Sequence, residues 1–155
     1  MTSTLDRTRA VLAPDLAAGE TVLAAAQAQL DGGTMRLASR VAAGAAGGGI
    51  AGVVMQSGSA DDLEAALANG LVLAVSGLRV ILLDVTAVSA RPKSVVATID
   101  RSRITDTAAG EKRVMLVKLP TIALTIDGAD DHVLRFEVPK TSRRDAEAVI
   151  AALHP

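Results

Sequence analysis

The sequence predicts a mainly β, α+β domain: a small antiparallel barrel or sandwich of about seven strands, closed by a C-terminal capping helix. Three observations carry this expectation. From Leu71 onward, short apolar runs alternate with polar positions at a period of two, as half-buried strands do. Gly, Pro, Asn and Asp separate those runs at spacings that suit hairpins and tight bends. Near the end, Ala146, Val149, Ile150 and Leu153 recur at i, i+3, i+4 and i+7, the apolar stripe of an amphipathic helix. At 155 residues, half of them hydrophobic, residues 1–155 read as one domain with enough apolar surface for a core.

Taken in order, Leu5–Leu12 fits a short helix. Ser3 and Asp6 have capping-box spacing, and Pro14 blocks continuation. Gly19-Glu20 leads into Thr21–Leu30, where Val22, Ala24, Ala26, Ala28 and Leu30 alternate with Gln27 and Gln29. That alternation favours a strand, with helix as the competitor because the run is alanine-rich. Asp31-Gly32-Gly33 ends it. Residues 31–70 then read as a helical, glycine-rich insertion between the first and second strands. Its second half has a capping box at Ser59 and Asp62, acidic residues in the first turn, and Asn69-Gly70 as a stop.

The glycine segment Val41–Met55 carries no charge and no hydrogen-bonding side chain over fifteen residues. Gly44, Gly48 and Gly52 fall at i, i+4 and i+8, on one face of any helix, with Ile50 and Val53 nearby. Five glycines cost a helix about 4–5 kcal/mol relative to alanine, so only tight packing would hold one. Three readings stay open: a small-residue helix face packed on its own domain or on a second copy, a flexible loop, or shallow membrane insertion. Fifteen helical residues reach only about 22 Å against a hydrocarbon core of about 30 Å, which disfavours spanning.

After the insertion, Leu71–Val75 and Arg79–Val85 flank Ser76-Gly77 as a hairpin, and Val95–Ile99 follows Arg91-Pro92-Lys93. Arg103–Asp106 continues that strand or begins another after a bend. Arg113–Leu119 reads as a strand that meets Pro120, and Thr121–Asp127 alternates with Ile122, Leu124 and Ile126 on one face. Asp127-Gly128 supplies a turn into His132–Val138, with Leu134, Phe136 and Val138 inward. Ser142 and Asp145 then form a capping box for the final helix.

This order of elements resembles the bacterial pleckstrin-homology-like (PH-like) and GRAM-like domains. The resembling pieces are Leu16–Val22, Gly70–Leu82, Val95–Ile104, Ile122–Gly128 and Val133–Val138 ahead of the last helix, so the likeness spans about residues 16–153. It implies a binding scaffold for lipid head groups, peptides or partner domains. Phosphoinositide-binding members carry a basic motif across their first two strands. Residues 20–30 here contain no Lys or Arg, so that property is not implied.

Composition excludes several functions. Phe136 is the only aromatic residue, which removes stacking platforms for single-stranded nucleic acid. Net charge is −1, and residues 71–155 carry twelve basic side chains against ten acidic, so no nucleic-acid surface is expected. Cysteine is absent, and with it thiol chemistry and disulfides. His132 and His154 read as surface residues. The pairs Asp61-Asp62 and Asp130-Asp131 lie at a helix start and a turn, without an acid–base partner at useful spacing. Asp127–Asp131 lacks the remaining ligand positions of a calcium loop. The expectation is therefore a non-enzymatic protein with no cofactor, no metal and no small-molecule substrate. The first residues lack the apolar core of a signal peptide, which points to the cytoplasm.

Two surfaces remain as candidates. The first is the 41–55 segment at Gly44, Gly48, Gly52, Ile50 and Val53, through which the chain would self-associate or dock another protein. The second is a cationic rim of Arg91, Lys93, Arg101, Arg103, Lys112 and Arg113, with Arg36 and Arg40 ahead of the glycines. That set would contact anionic lipid in a peripheral-membrane alternative. Its bland counterpart is a row of charged strand ends that resists aggregation.

Overall fold

The computed structural model of the chain describes residues 2–30, 53–55, 70–86, 88–126 and 132–154. Helix α1 covers Thr4–Leu12. Its start is the capping box expected from the sequence: Ser3 Oγ accepts the Asp6 N–H at 3.1 Å and donates to the Asp6 carboxylate at 2.7 Å. Pro14 sits inside a 3-10 turn, Ala13–Asp15, that finishes the helix. Arg9 then ties α1 to the sheet, donating from Nε and Nη2 to the Val22 carbonyl at 3.1 and 3.0 Å. Between the two, Glu20 N–H reaches the Ala17 carbonyl at 3.0 Å, a turn whose third residue, Gly19, has φ +78.

Among the described residues eight strands follow: β1 (Val22–Leu30), β2 (Val53–Met55), β3 (Leu71–Ser76), β4 (Arg79–Val85), β5 (Pro92–Asp100), β6 (Ile104–Val114), β7 (Val117–Ile126) and β8 (His132–Glu137). They form one antiparallel sheet in the order β2-β5-β4-β3-β1-β8-β7-β6, and helix α2 (Arg143–Leu153) closes the chain. The mainly β class and the C-terminal helix are as expected. Among the described residues the sheet is open: its edge strands β2 and β6 each pair on one side and not with each other. In place of the expected barrel or sandwich, the described strands make one antiparallel sheet, bent so that its two ends share a core.

Strand β1 sits at the bend. It pairs with β3 from Val22 to Ala28 and with β8 at Gln29 and Leu30. Its alanines Ala24, Ala26 and Ala28 face a core shared with Leu73, Leu82, Leu124, Phe136 and, from α2, Ala146 and Val149. An irregularity between Val22 and Ala24 turns Val22 to the opposite side, where it joins Ala25 rather than the alternating set the sequence suggests.

That opposite side is also buried. Leu12 of α1, with Leu5 and Val11 beside it, covers Val72, Ala74, Ile81, Leu83 and Val85. Both faces of β3 and β4 are therefore dry, which is why their sequences, LVLAVS and RVILLDV, run apolar with little alternation. Ahead of β3, Gly70 takes φ +92, and a Cβ there would stand 3.3 Å from the Ala28 carbonyl oxygen.

Three elements differ from the sequence reading. Arg113–Leu119 is not a strand: it contains the two-residue turn Met115-Leu116 of the β6–β7 hairpin. No Gly, Pro, Asn or Asp marks that turn, and Met115 adopts φ +55 without one. Pro120 does not end a strand either. It lies within β7 with its carbonyl accepting the Val138 N–H at 2.8 Å, so its missing N–H faces the side where β8 has already finished. Finally, Ser142 occupies the N-cap position of α2 without a side-chain cap, because a 3-10 turn over Lys140–Ser142 leads into the helix instead.

The expected helical insertion over 31–70 falls mostly outside the described residues. Within it, Val53–Met55 is extended and pairs with Ile99, Thr98 and Ala97 of β5. This corrects a helix running through residue 55.

Candidate functional site

The six basic residues expected to make one cationic rim do not come together. Arg91 and Lys93 lie where β5 begins, and Arg101 and Arg103 lie past its far end. Seven strand residues, 94–100, separate the two pairs by about 25 Å. Arg101 is moreover committed inside the fold. Its Nη1 donates to the Ser76 carbonyl at 3.0 Å and its Nη2 to the Ala152 carbonyl at 2.9 Å, so it caps the last turn of α2 against β3. Lys112 pairs with Glu137 across β7. Arg91 and Lys93 are exposed. Arg36, Arg40, Gly44, Gly48, Ile50 and Gly52 lie outside the described residues. Val53 is on β2, with an extended backbone rather than a helical one.

The structure instead assembles two surfaces that the sequence reading did not single out. The first is the tip of the β6–β7 hairpin. Val114, Met115, Leu116 and Val117 are consecutive, large and exposed, with Met115 and Leu116 at 89 % and 90 %. Directly behind them Arg113 and Lys118 stand opposite each other in register. Arg113 Nε reaches back to the Met115 carbonyl at 3.3 Å. A signal was present, since cations bracket an apolar run in KRVMLVK, but the run reads equally well as a buried strand.

The second surface is a groove of about 440 Å³ between α2 and the β6–β7 pair. Ala109 and Gly110 of β6 and Pro120 and Ile122 of β7 form its floor, and Ala146 and Ile150 of α2 form its wall. One ion pair crosses it, Arg143 Nη1 to Glu111 Oε1 at 3.0 Å, with both side chains partly in water. Such a pair is worth about 0–1 kcal/mol, a light strap. Strand β6, eleven residues long and paired among the described residues only with β7, borders the groove at Ala109–Glu111.

The carboxyls held below their ordinary range all serve local structure. At Asp6 the Ser3 hydroxyl is the main cause, and at Asp100 it is the Ser102 N–H. Burial pushes Glu20 up, but Arg79, Ser76 and the Ala17 N–H together outweigh it and hold Glu20 low. His154 is exposed beside a cleft of about 220 Å³ that Arg101 and Asp106 also line. Among the described residues, no three His, Asp or Glu side chains group to hold a metal ion, and no helix is long and apolar enough to cross a membrane.

No family model matches the chain, and no curated protein matches it. Among solved structures, it is similar to a pleckstrin homology domain from Shewanella amazonensis SB2B. The likeness covers 96% of this chain and 94% of that one, with a TM-score of 0.48 and 15% identity.

Proposed function

We propose that this chain is a non-enzymatic protein-interaction module that receives an extended segment of a partner protein beside β6. One observation carries the reading: an edge strand among the described residues, β6, borders an apolar groove at Ala109–Glu111. On an edge strand about half of the backbone N–H and C=O groups point away from the sheet. An added strand satisfies them, while its alternate side chains enter the groove over Ala109, Ile122 and Ile150. The Arg143–Glu111 pair costs little to displace.

Selection from a random peptide library, followed by amide chemical-shift mapping, tests this. Bound peptides should perturb residues 109–111, 120–122 and 143–151, and Ile150→Glu should abolish binding without unfolding the half-buried site. Peptides whose perturbations map elsewhere, or that bind Ile150→Glu as well as the wild type, refute it.

The glycine spacing in the sequence adds a separate reason to expect self-association. In a helix, Gly44, Gly48 and Gly52 would share one face without side chains, on which two backbones could approach closely. Gly48→Leu should then lower the solution mass, and an unchanged mass removes this second reading.

A further inference from the structure

We propose that the β6–β7 hairpin tip is a membrane-insertion element for anionic lipid surfaces, with Val114–Val117 entering the acyl boundary and Arg113 and Lys118 lying at the head groups. This goes beyond the peptide reading, and it rests on different residues.

Five features of the tip converge on a bilayer. Val114, Met115, Leu116 and Val117 present a continuous apolar cap to solvent, and Met115 and Leu116 are almost wholly uncovered. The turn lies two residues beyond Arg113 and Lys118, about 7 Å at strand rise. That depth matches the roughly 5–10 Å by which interfacial elements enter the head-group and acyl boundary.

The charges sit where a head-group layer would meet them. Arg113 and Lys118 are directly opposite each other, an arrangement that repels in isolation and is relieved by an anionic surface. Arg113 also satisfies the Met115 carbonyl, removing one polar group from the part that would enter lipid. Lastly, Met115 holds φ +55, where glycine would be easier, so a bulky apolar side chain stands at a position that local backbone preference does not favour.

Flotation of the full-length chain with phosphatidylcholine vesicles, with and without about 30 mol% phosphatidylserine, tests the proposal. The protein should float with the phosphatidylserine vesicles at low salt, less so as salt rises, and poorly with phosphatidylcholine alone. Met115→Asp with Leu116→Asp should weaken that binding about a hundredfold while leaving the melting curve unchanged, since neither side chain supports the core. Because the chain has no Trp, Leu116→Trp gives a single reporter whose emission should shift to the blue on binding and be quenched by brominated lipid.

Absence of flotation at low salt overturns the proposal, as does undiminished flotation of the double Asp variant. An unshifted emission of Leu116→Trp on floated protein overturns it too. A drop in solution mass in the double Asp variant, with no vesicle binding by the wild type, assigns the tip to a second copy of the chain instead. Every tip variant leaves the α2 groove intact, so failure here and failure of the peptide reading are separate results.

Discussion

Replacing Glu20 with Gln probes the polar joint that holds the start of β1 to the β3–β4 hairpin. The Glu20 side chain is fully buried, whereas Arg79 keeps about a quarter of its side-chain surface in water. Oε1 accepts from Ser76 Oγ at 2.6 Å and Arg79 Nε at 3.0 Å; Oε2 accepts from the Ala17 N–H at 2.9 Å and Arg79 Nη2 at 3.3 Å. All four partners are donors. A glutamine therefore fits the space, but either way round it turns its NH2 toward an Arg79 nitrogen, which can only donate.

Hydrogen bonds to a charged group contribute about 1.5–3 kcal/mol each, and they are not additive. With Arg79 still able to reach water, the loss should be about 3 kcal/mol. At about 2–4 °C per kcal/mol for a chain of this size, Tm falls by about 6–12 °C. Urea unfolding followed by far-UV circular dichroism is the assay, since there is no Trp or Tyr to report. A loss below about 0.5 kcal/mol at an unchanged m-value would refute the argument that four donors converge on a charge.

The sign of the pH dependence follows from the same geometry. The folded carboxyl is held below the ordinary glutamate value of 4.5, so its contribution is complete above that value and disappears as pH falls through the lower folded one. Acid titration should therefore narrow the gap between wild type and Glu20→Gln; a gap that persists at low pH contradicts it.

Three further outcomes are expected. Arg101→Met should cost about 2 kcal/mol and raise amide exchange around Ile150–His154, because the Ser76 and Ala152 carbonyls lose their donor; normal exchange there would show the cap to be idle. Gly70→Ala should destabilise by more than about 1 kcal/mol in a thermal melt, combining φ +92 with a contact to the Ala28 carbonyl. Deleting residues 1–16 should leave a protein that binds a hydrophobic dye and aggregates on warming, since Leu5, Val11, Leu12 and Leu16 pack over Val72, Ala74 and Ile81; a monodisperse truncation would show that face to be sealed otherwise.

The strands with one wet face were legible in the sequence. Ile122, Leu124 and Ile126, then Leu134, Phe136 and Val138, alternate and are buried as their period demands. The hairpin at Gly77 and the Ser3 cap were equally readable, because short-range chemistry decides both. What escaped was settled at long range. Nothing near β3 and β4 says that α1 lies on their outer face, although their nearly unbroken apolar runs are its trace. The Met115-Leu116 turn lacks turn residues, and Pro120 looks like a terminator until β8 is seen to stop beside it. The basic residues looked like one group because sequence proximity says nothing about opposite ends of a strand. Arg101 in particular finds its partners 25 and 51 positions away.

The change of partners along β1 has a consequence for how the molecule comes apart. Through Ala28 this strand belongs to the β3 side of the sheet, and from Gln29 it belongs to the β8 side. Neither half can shed β1 without stripping an edge from the other, and the alanines that line it are covered from both. Unfolding is therefore cooperative across the bend: one transition, seen alike by probes in β4 and in β7, in place of two sheets melting at their own temperatures.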